Sequence, residues 1–277
     1  MTQLASVALT GVDTHAHIFH QGLELAGNRR YSPDYDATVE QYLAHLDHCG
    51  LSHGVLVQPS FLGTDNRHLV DALRRFPQRL RGTAVVARDV TEETLDELAE
   101  AGVVGIRLNL IGQPLEDYRS ASWRTLFAKV ARLGWSVEIQ RGVEDLGEIV
   151  PQILQSGVAV VIDHFGLPDG EIDPANSDHR TLLSLLPSEA IWIKLSATYR
   201  SRSTPAQARR SIERLRDAYG HGDRLVWGSD WPHTRFEAHT DYDAQFSLME
   251  TLLPDAAERR KILIDNPARL FGIDRAA

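Results

Sequence analysis

Near the start of the chain, His15 and His17 stand one residue apart at the end of the apolar stretch Gly11-Val12-Asp13-Thr14-His15-Ala16-His17-Ile18-Phe19. Alternate side chains of a β-strand point the same way, so two histidines at this spacing share a face and can aim their imidazoles at one ion or one carbonyl oxygen. Two histidines on a half-exposed edge strand would need no such target. The rest of the chain favours chemistry. Gln58 and Ser60, Arg107 and Asn109, Glu138 and Gln140, Asp163 and His164, Lys194 and Ser196, and Ser229 and Asp230 each close an apolar run of their own. The other positions in those runs are mostly Val, Ile, Leu or Ala, a division that packing alone does not predict.

These residues need elements that bring their ends together. Eight short β-rich runs, at 11–19, 53–60, 82–88, 103–110, 135–140, 158–165, 191–197 and 224–230, read as buried parallel strands. Amphipathic stretches of helical spacing, such as 37–49, 92–101 and 121–133, lie between them. Gly50, Gly102, Gly134 and Gly157 stand just ahead of the next strand, where a helix ends in a left-handed residue. Strand and helix alternating eight times predict an α/β protein with the (β/α)8 TIM-barrel fold, whose strand C-termini gather at one active-site rim. An open doubly wound sheet is the alternative, but no Gly-rich phosphate loop follows the first run. The segment 20–36, with Tyr31, Pro33 and Tyr35, reads as a long first loop and a candidate lid.

The chain has 277 residues, 43% hydrophobic and 24% charged, with no linker-like stretch, so one domain over 1–277 is expected. Cys49 is the only cysteine, which excludes an intrachain disulfide and suits a reducing cytoplasm. The first residues, Met1 to Ser6, lack the basic and apolar regions of a signal peptide, and no run of about 18 apolar residues exists to span a membrane. A net charge of -9 disfavours nucleic acid and anionic membranes, so an anionic substrate would be held by local arginines. The sequence is compatible with a homo-oligomer.

Four motifs in chain order carry a resemblance: His15-Ala16-His17, Ile162-Asp163-His164-Phe165-Gly166, Ile193-Lys194-Leu195-Ser196, and Trp227-Gly228-Ser229-Asp230-Trp231-Pro232-His233. With the terminal segment Asn266 to Gly272 they resemble the amidohydrolase superfamily, in particular its branch of 2-pyrone-4,6-dicarboxylate and related lactonases. The resemblance implies a hydrolase that opens the lactone of a small carboxylic acid. In that reading Asp230 takes the proton from water, His15, His17 and His164 polarise the carbonyl, and Arg107 and Arg200 grip a carboxylate. Gln58, Asn109, Lys194, Tyr199 and His233 are further substrate contacts.

Binuclear members place a bridging ligand at strand four and a histidine at strand five, where this chain has Arg107 and Gln140. Neither is a good zinc ligand, so a two-metal site is not expected. The resemblance favours chemistry with no cofactor; the alternative is one divalent ion, zinc, on His15, His17, His164 and Asp230. A further arginine of the branch falls near Gln113, which implies a smaller or different anionic group on the substrate. Two other functions compete: a single-metal decarboxylase of an aromatic or unsaturated acid, weakened by Gln140, and a non-catalytic small-molecule-binding barrel. Plainer roles are also available to several residues. Asp230 could cap a turn, Lys194 could pair with Asp163 or Glu138, and Arg200 could be a solvated charge. His20, His45, His48, His53, His68, His179, His221 and His239 are expected on the surface.

Overall fold

A computed structural model describes residues 7–27 and 29–274 of the chain; the stretch from Met1 to Ser6 and Asn28 within the first loop lie outside the described residues. The eight apolar runs form β1 (Val12–Ala16), β2 (His53–Val57), β3 (Leu80–Ala84), β4 (Val103–Asn109), β5 (Ser136–Gln140), β6 (Ala159–Ile162), β7 (Ile191–Leu195) and β8 (Leu225–Trp227). They pair in parallel in the order β1 to β8. The last strand is short, and the circuit closes just beyond it. Ala16 bridges to Trp231, the amide of His17 donates to the Trp231 carbonyl at 2.7 Å, and the amide of Asp230 donates to the His15 carbonyl at 2.8 Å. The seam of this TIM barrel is thus made from the two segments that carry His15, His17 and Asp230.

Seven crossover helices and one that follows β8 surround the barrel: α1 (Val39–His48), α2 (Arg67–Arg75), α3 (Glu92–Glu100), α4 (Ala121–Arg132), α5 (Val143–Leu154), α6 (Ser177–Leu185), α7 (Pro205–Tyr219) and, after β8, α8 (Tyr242–Leu252). Local chemistry explains their limits. Thr38 with Gln41 and Thr204 with Gln207 form reciprocal capping boxes at the starts of α1 and α7. Gly50, Gly102, Gly134 and Gly157 all adopt positive φ, as the helix exits require. On α1 the stripe Val39, Tyr42, Leu43 and Leu46 is buried against the barrel.

The third strand departs from its expected range. It begins at Leu80 and ends at Ala84, because the Asn66 side chain takes over from the ladder: its amide donates to Val85 O at 2.8 Å and its oxygen accepts from Val85 N at 3.1 Å. At the other end of the chain, α9 (Ala256–Arg260) leads through a π-helical turn into α10 (Asn266–Phe271), and Phe271 and Ile273 pack on Val12 and Val55. Among the described residues no helix is long and apolar enough to cross a membrane.

Candidate active site

Asp13, His15 and His17 follow one another on the same side of β1 and its extension, and all three are buried. Beyond β6, β7 and β8 the backbone passes at once through left-handed residues: His164 and Phe165, Ala197, and Asp230. Such conformations cost a non-glycine residue roughly 1–3 kcal/mol and persist where the surroundings dictate them. Here they turn His164 and Asp230 back over the barrel mouth. Gly228 makes the approach of β8 to β1 feasible, since a Cβ there would lie 2.6 Å from that of His15.

The four residues expected to do the chemistry converge. Oδ1 of Asp230 lies 3.6 Å from Nε2 of His15, 3.7 Å from Nε2 of His17 and 3.9 Å from Nε2 of His164. Its other oxygen, Oδ2, accepts from Nε of Arg200 at 2.6 Å and from the Tyr199 hydroxyl. Oδ1 of Asp230 and Nε2 of His164 are buried without a hydrogen-bond partner, which leaves both available to something bound between them. Asp230 is therefore not a turn cap.

Beneath this cage lies an ion-pair layer. Lys194 Nζ is 2.5 Å from Glu138 Oε2, 3.6 Å from Asp163 Oδ1 and 3.0 Å from Nδ1 of His15. Arg107 donates to Asp163 Oδ2 through Nη2 at 2.8 Å and Nε at 3.2 Å. Lys194 takes the plainer of its two readings, as an internal partner of both carboxylates. Arg107 is only 3% exposed, and Nη1 is the guanidinium nitrogen that its bonds to Asp163 leave over. Arg200, read from sequence as a candidate solvated charge, has a side chain 15% exposed and is paired with Asp230.

Charge states follow from burial and from these neighbours. Desolvation opposes ionisation of Asp230, but the Arg200 guanidinium beside it holds the carboxyl well below its usual range. Burial, reinforced by Lys194, keeps His15 neutral, and burial brings His164 down to about 4. Burial and the charge of Asp163 push Glu138 up to about 7, against the pull of Lys194 and Arg107.

The bonds at the ring nitrogens then fix the tautomers. Nδ1 of His17 is 2.7 Å from Val57 O, an acceptor, so Nδ1 carries the proton and Nε2 the lone pair. An ammonium only donates, so Nδ1 of His15 accepts from Lys194 and its Nε2 carries the proton. The 3.3 Å contact between the two Nε2 atoms is a hydrogen bond from His15 to His17.

The same cage bears on a metal. A tetrahedral ion with bonds of about 2.0–2.1 Å sets its ligand atoms roughly 3.3–3.4 Å apart. The spacing of His15, His17 and Asp230 comes near this. The protons do not suit it: a ligating nitrogen must be bare, whereas Lys194 drives the His15 proton onto Nε2, the atom that would face the ion. Admitting one requires His15 to turn Nδ1 into a donor, toward Asp163 Oδ1 at 3.3 Å, with the ammonium displaced. As protonated, the donor set does not fit a resident ion.

Other expected contacts fall differently. Asn109 lines a chamber of about 610 Å³ together with Arg30, Arg107 and Gln113, its Oδ1 unpartnered. This chamber shares Arg30, Ser60 and Arg107 with a small inner cleft of about 70 Å³ that reaches His17 and Arg200. Gln58 instead donates to Asp65 O at 2.8 Å, holding the loop after β2, and lines neither cavity. Its strand-end position is filled by a loop anchor. Tyr199 and His233 stand behind Asp230, with Nδ1 of His233 3.2 Å from the Tyr199 hydroxyl. Of the histidines expected on the surface, His53 and His179 are buried, bonded to Ser52 Oγ and to the amide of Asp173. The segment 20–36 is tied down over the mouth: the hydroxyls of Tyr31 and Tyr35 both donate to Glu237 at 2.7 Å, and Ala26 N donates to Phe61 O at 2.8 Å.

One residue with a structural claim on the site received no role from sequence. The Asp13 carboxylate accepts from Ser229 N and Oγ, His15 N and Tyr242 OH, which fastens β1 to the turn bearing Asp230. Its alternation with His15 and His17 was the available signal.

The chain is 31% identical to the 2-pyrone-4,6-dicarboxylate hydrolase of Comamonas testosteroni over 273 residues, covering 94% of this chain and 89% of that one. It is also 31% identical to the 4-sulfomuconolactone hydrolase of Rhizobium radiobacter over 277 residues, with the same coverage. A crystal structure of a probable 2-pyrone-4,6-dicarboxylic acid hydrolase from Acinetobacter baumannii, with citric acid bound, superposes with a TM-score of 0.91 at 37% identity, covering 95% of this chain and all of that one. An amidohydrolase from Burkholderia multivorans that holds zinc shares the fold, with a TM-score of 0.76 at 20% identity over 96% of this chain. The amidohydrolase family model matches residues 12–273, and the chain belongs to that family.

Proposed function

We propose that this protein is an ester-bond hydrolase that opens the lactone ring of a small anionic acid, without a metal ion. The observation that carries the reading is the bare Oδ1 of Asp230, buried amid three imidazoles while Arg200 and Tyr199 occupy Oδ2. Its similarity to two lactone hydrolases over 94% of the chain supports the reaction class.

A water bound at Oδ1 gives its proton to Asp230 as its oxygen attacks the ring carbonyl, a general-base role worth about 10²–10⁴ in rate. Asp230 is a weak base in isolation, so the proton moves only as the carbonyl is polarised. A carbonyl oxygen entering the cage takes the Nε2–H of His15 in place of His17. With the Ser196 hydroxyl, 2.8 Å away, donating to Nδ1 of His164, that ring presents a second donor at Nε2. Each donor aimed at the oxyanion contributes about 2.7–4 kcal/mol. Collapse of the tetrahedral intermediate breaks the ring C–O bond, and the proton held by Asp230 passes to the leaving oxygen. Arg107 and Arg200 both line the cleft and orient a substrate carboxylate.

Lys194 acts in place of an ion: it charges the site and sets the His15 tautomer. A half-buried single cysteine suits a reducing compartment, and we place the enzyme in the cytoplasm. The test is a pH-stat assay with pyrone dicarboxylate, sulfomuconolactone, muconolactone and sugar lactones. Ring opening of an anionic lactone with release of one acid equivalent is expected. Carbon dioxide release from aromatic acids, with every lactone untouched, would replace the reading by decarboxylation.

A further inference from the structure

The small inner cleft carries more positive charge than the proposed reaction uses. Four arginines line it, Arg30, Arg107, Arg200 and Arg235. Two are neutralised inside the protein, Arg107 by Asp163 and Arg200 by Asp230. Among the described residues neither Arg30 nor Arg235 forms an ion pair. Other exposed arginines, Arg124 and Arg180 among them, also form no ion pair among the described residues, but Arg30 and Arg235 line the cleft that reaches His17.

The two arginines are also held together. Arg30 precedes Tyr31 in the first loop, and Arg235 lies two residues before Glu237 in the loop after β8. The Tyr31 and Tyr35 hydroxyls and the backbone amide of Arg235 all donate to Glu237 Oε1, so one carboxylate clasps the two loops. The clasp occupies the acid nearest to Arg235 in sequence and leaves both guanidinia free. Burial and then repulsion from Arg107, Arg235 and Arg200 lower the affinity of Arg30 for its proton, a cost that a bound anion would remove.

We infer that Arg30 and Arg235 form a second anion clamp at the mouth of the cleft, which seats an anionic group of the substrate other than the one that Arg107 and Arg200 orient. The smaller anionic group expected from Gln113 follows from an arginine missing beyond the fourth strand, whereas Arg30 and Arg235 come from loops. As a clamp on substrate the inference rests on the lactone-hydrolase reading, but anion binding at these two arginines is a property of its own.

Calorimetric titration with tricarballylate, a tricarboxylate with no ester to cleave, and with acetate tests it on the full chain and on Arg30→Gln, Arg235→Gln and the double variant. Charge-assisted hydrogen bonds of about 1.5–3 kcal/mol predict that each single change weakens tricarballylate binding by about tenfold or more, and the double change by more still. Acetate binding should stay within about twofold of the parent. Lysine at both positions should recover part of the loss, which also shows that the fold is intact. Unchanged tricarballylate affinity in the double variant, or equal losses for both ligands, overturns the clamp. If no lactone is turned over while tricarballylate still binds through these two arginines, the hydrolase reading fails and the clamp stands.

Discussion

Replacing Asp230 by Asn separates the base from the scaffold that holds it. The amide keeps the carboxylate's shape, and Arg200 and Tyr199 can still donate to its oxygen. Its NH2 group then occupies the position of Oδ1, between 3.6 and 3.9 Å from the three imidazole nitrogens, where it donates and accepts nothing. Water loses its proton acceptor, so kcat should fall by about 10²–10⁴, equivalent to about 2.7–5.5 kcal/mol at 1.36 kcal/mol per tenfold. Stability should fall as well, because Arg200 loses its counter-charge. Removing one partner of a buried pair costs about 3–5 kcal/mol, and the Arg200 side chain, 15% exposed with Thr234 O at 3.3 Å, should lose less than that. The assay is kcat on saturating lactone together with a urea melt and tricarballylate titration. A folded variant that binds tricarballylate at least as well as the parent but barely turns over is the expected outcome. Turnover within about tenfold of the parent by a folded Asp230→Asn variant would refute Asp230 as the base.

Three further outcomes follow from the same geometry. Lys194→Met removes the ammonium that holds the proton of His15 on Nε2, so zinc content after dialysis should rise from near zero toward one equivalent; a variant that takes up no more zinc than the parent contradicts the tautomer argument. Asp13→Asn leaves the four donors around that carboxylate facing an amide, and should lower both urea midpoint and kcat, where a purely structural tie would lower the midpoint alone. Burial brings both His164 and His233 down to about 4 from an ordinary 6.5, so the unfolded chain binds these protons first as pH falls. The stabilisation they give is full above about pH 6.5 and drains toward pH 4, up to about 3 kcal/mol for each. His164→Asn should show a shallower loss of urea midpoint between pH 7 and 4.5, and parallel curves would contradict the assignment.

The barrel was legible because its information is periodic. Buried runs, amphipathic stripes and helix-ending glycines repeat with the element, and the strand ends bearing His15, His17, His164 and Asp230 follow directly from the fold. The third strand shifted because Asn66, far outside the run, took the place of a ladder partner at Val85. Which basic residue faces substrate was less legible. Lys194, Arg107 and Arg200 all carry the right charge at the right ends, but the carboxylates nearest to each in space are 30 to 56 residues away in sequence. Arg30 and Arg235 carry no sequence signal for a related reason. They lie in loops without period, joined only through Glu237.

In the proposed mechanism the protein's own protons and charges, organised by Lys194 around His15, polarise the carbonyl without a metal ion. The direct measurement is metal content and lactone turnover on one exhaustively chelated sample. Undiminished ring opening with metal far below one equivalent is the expected result. Loss of turnover on chelation, restored in proportion to added zinc, would contradict it.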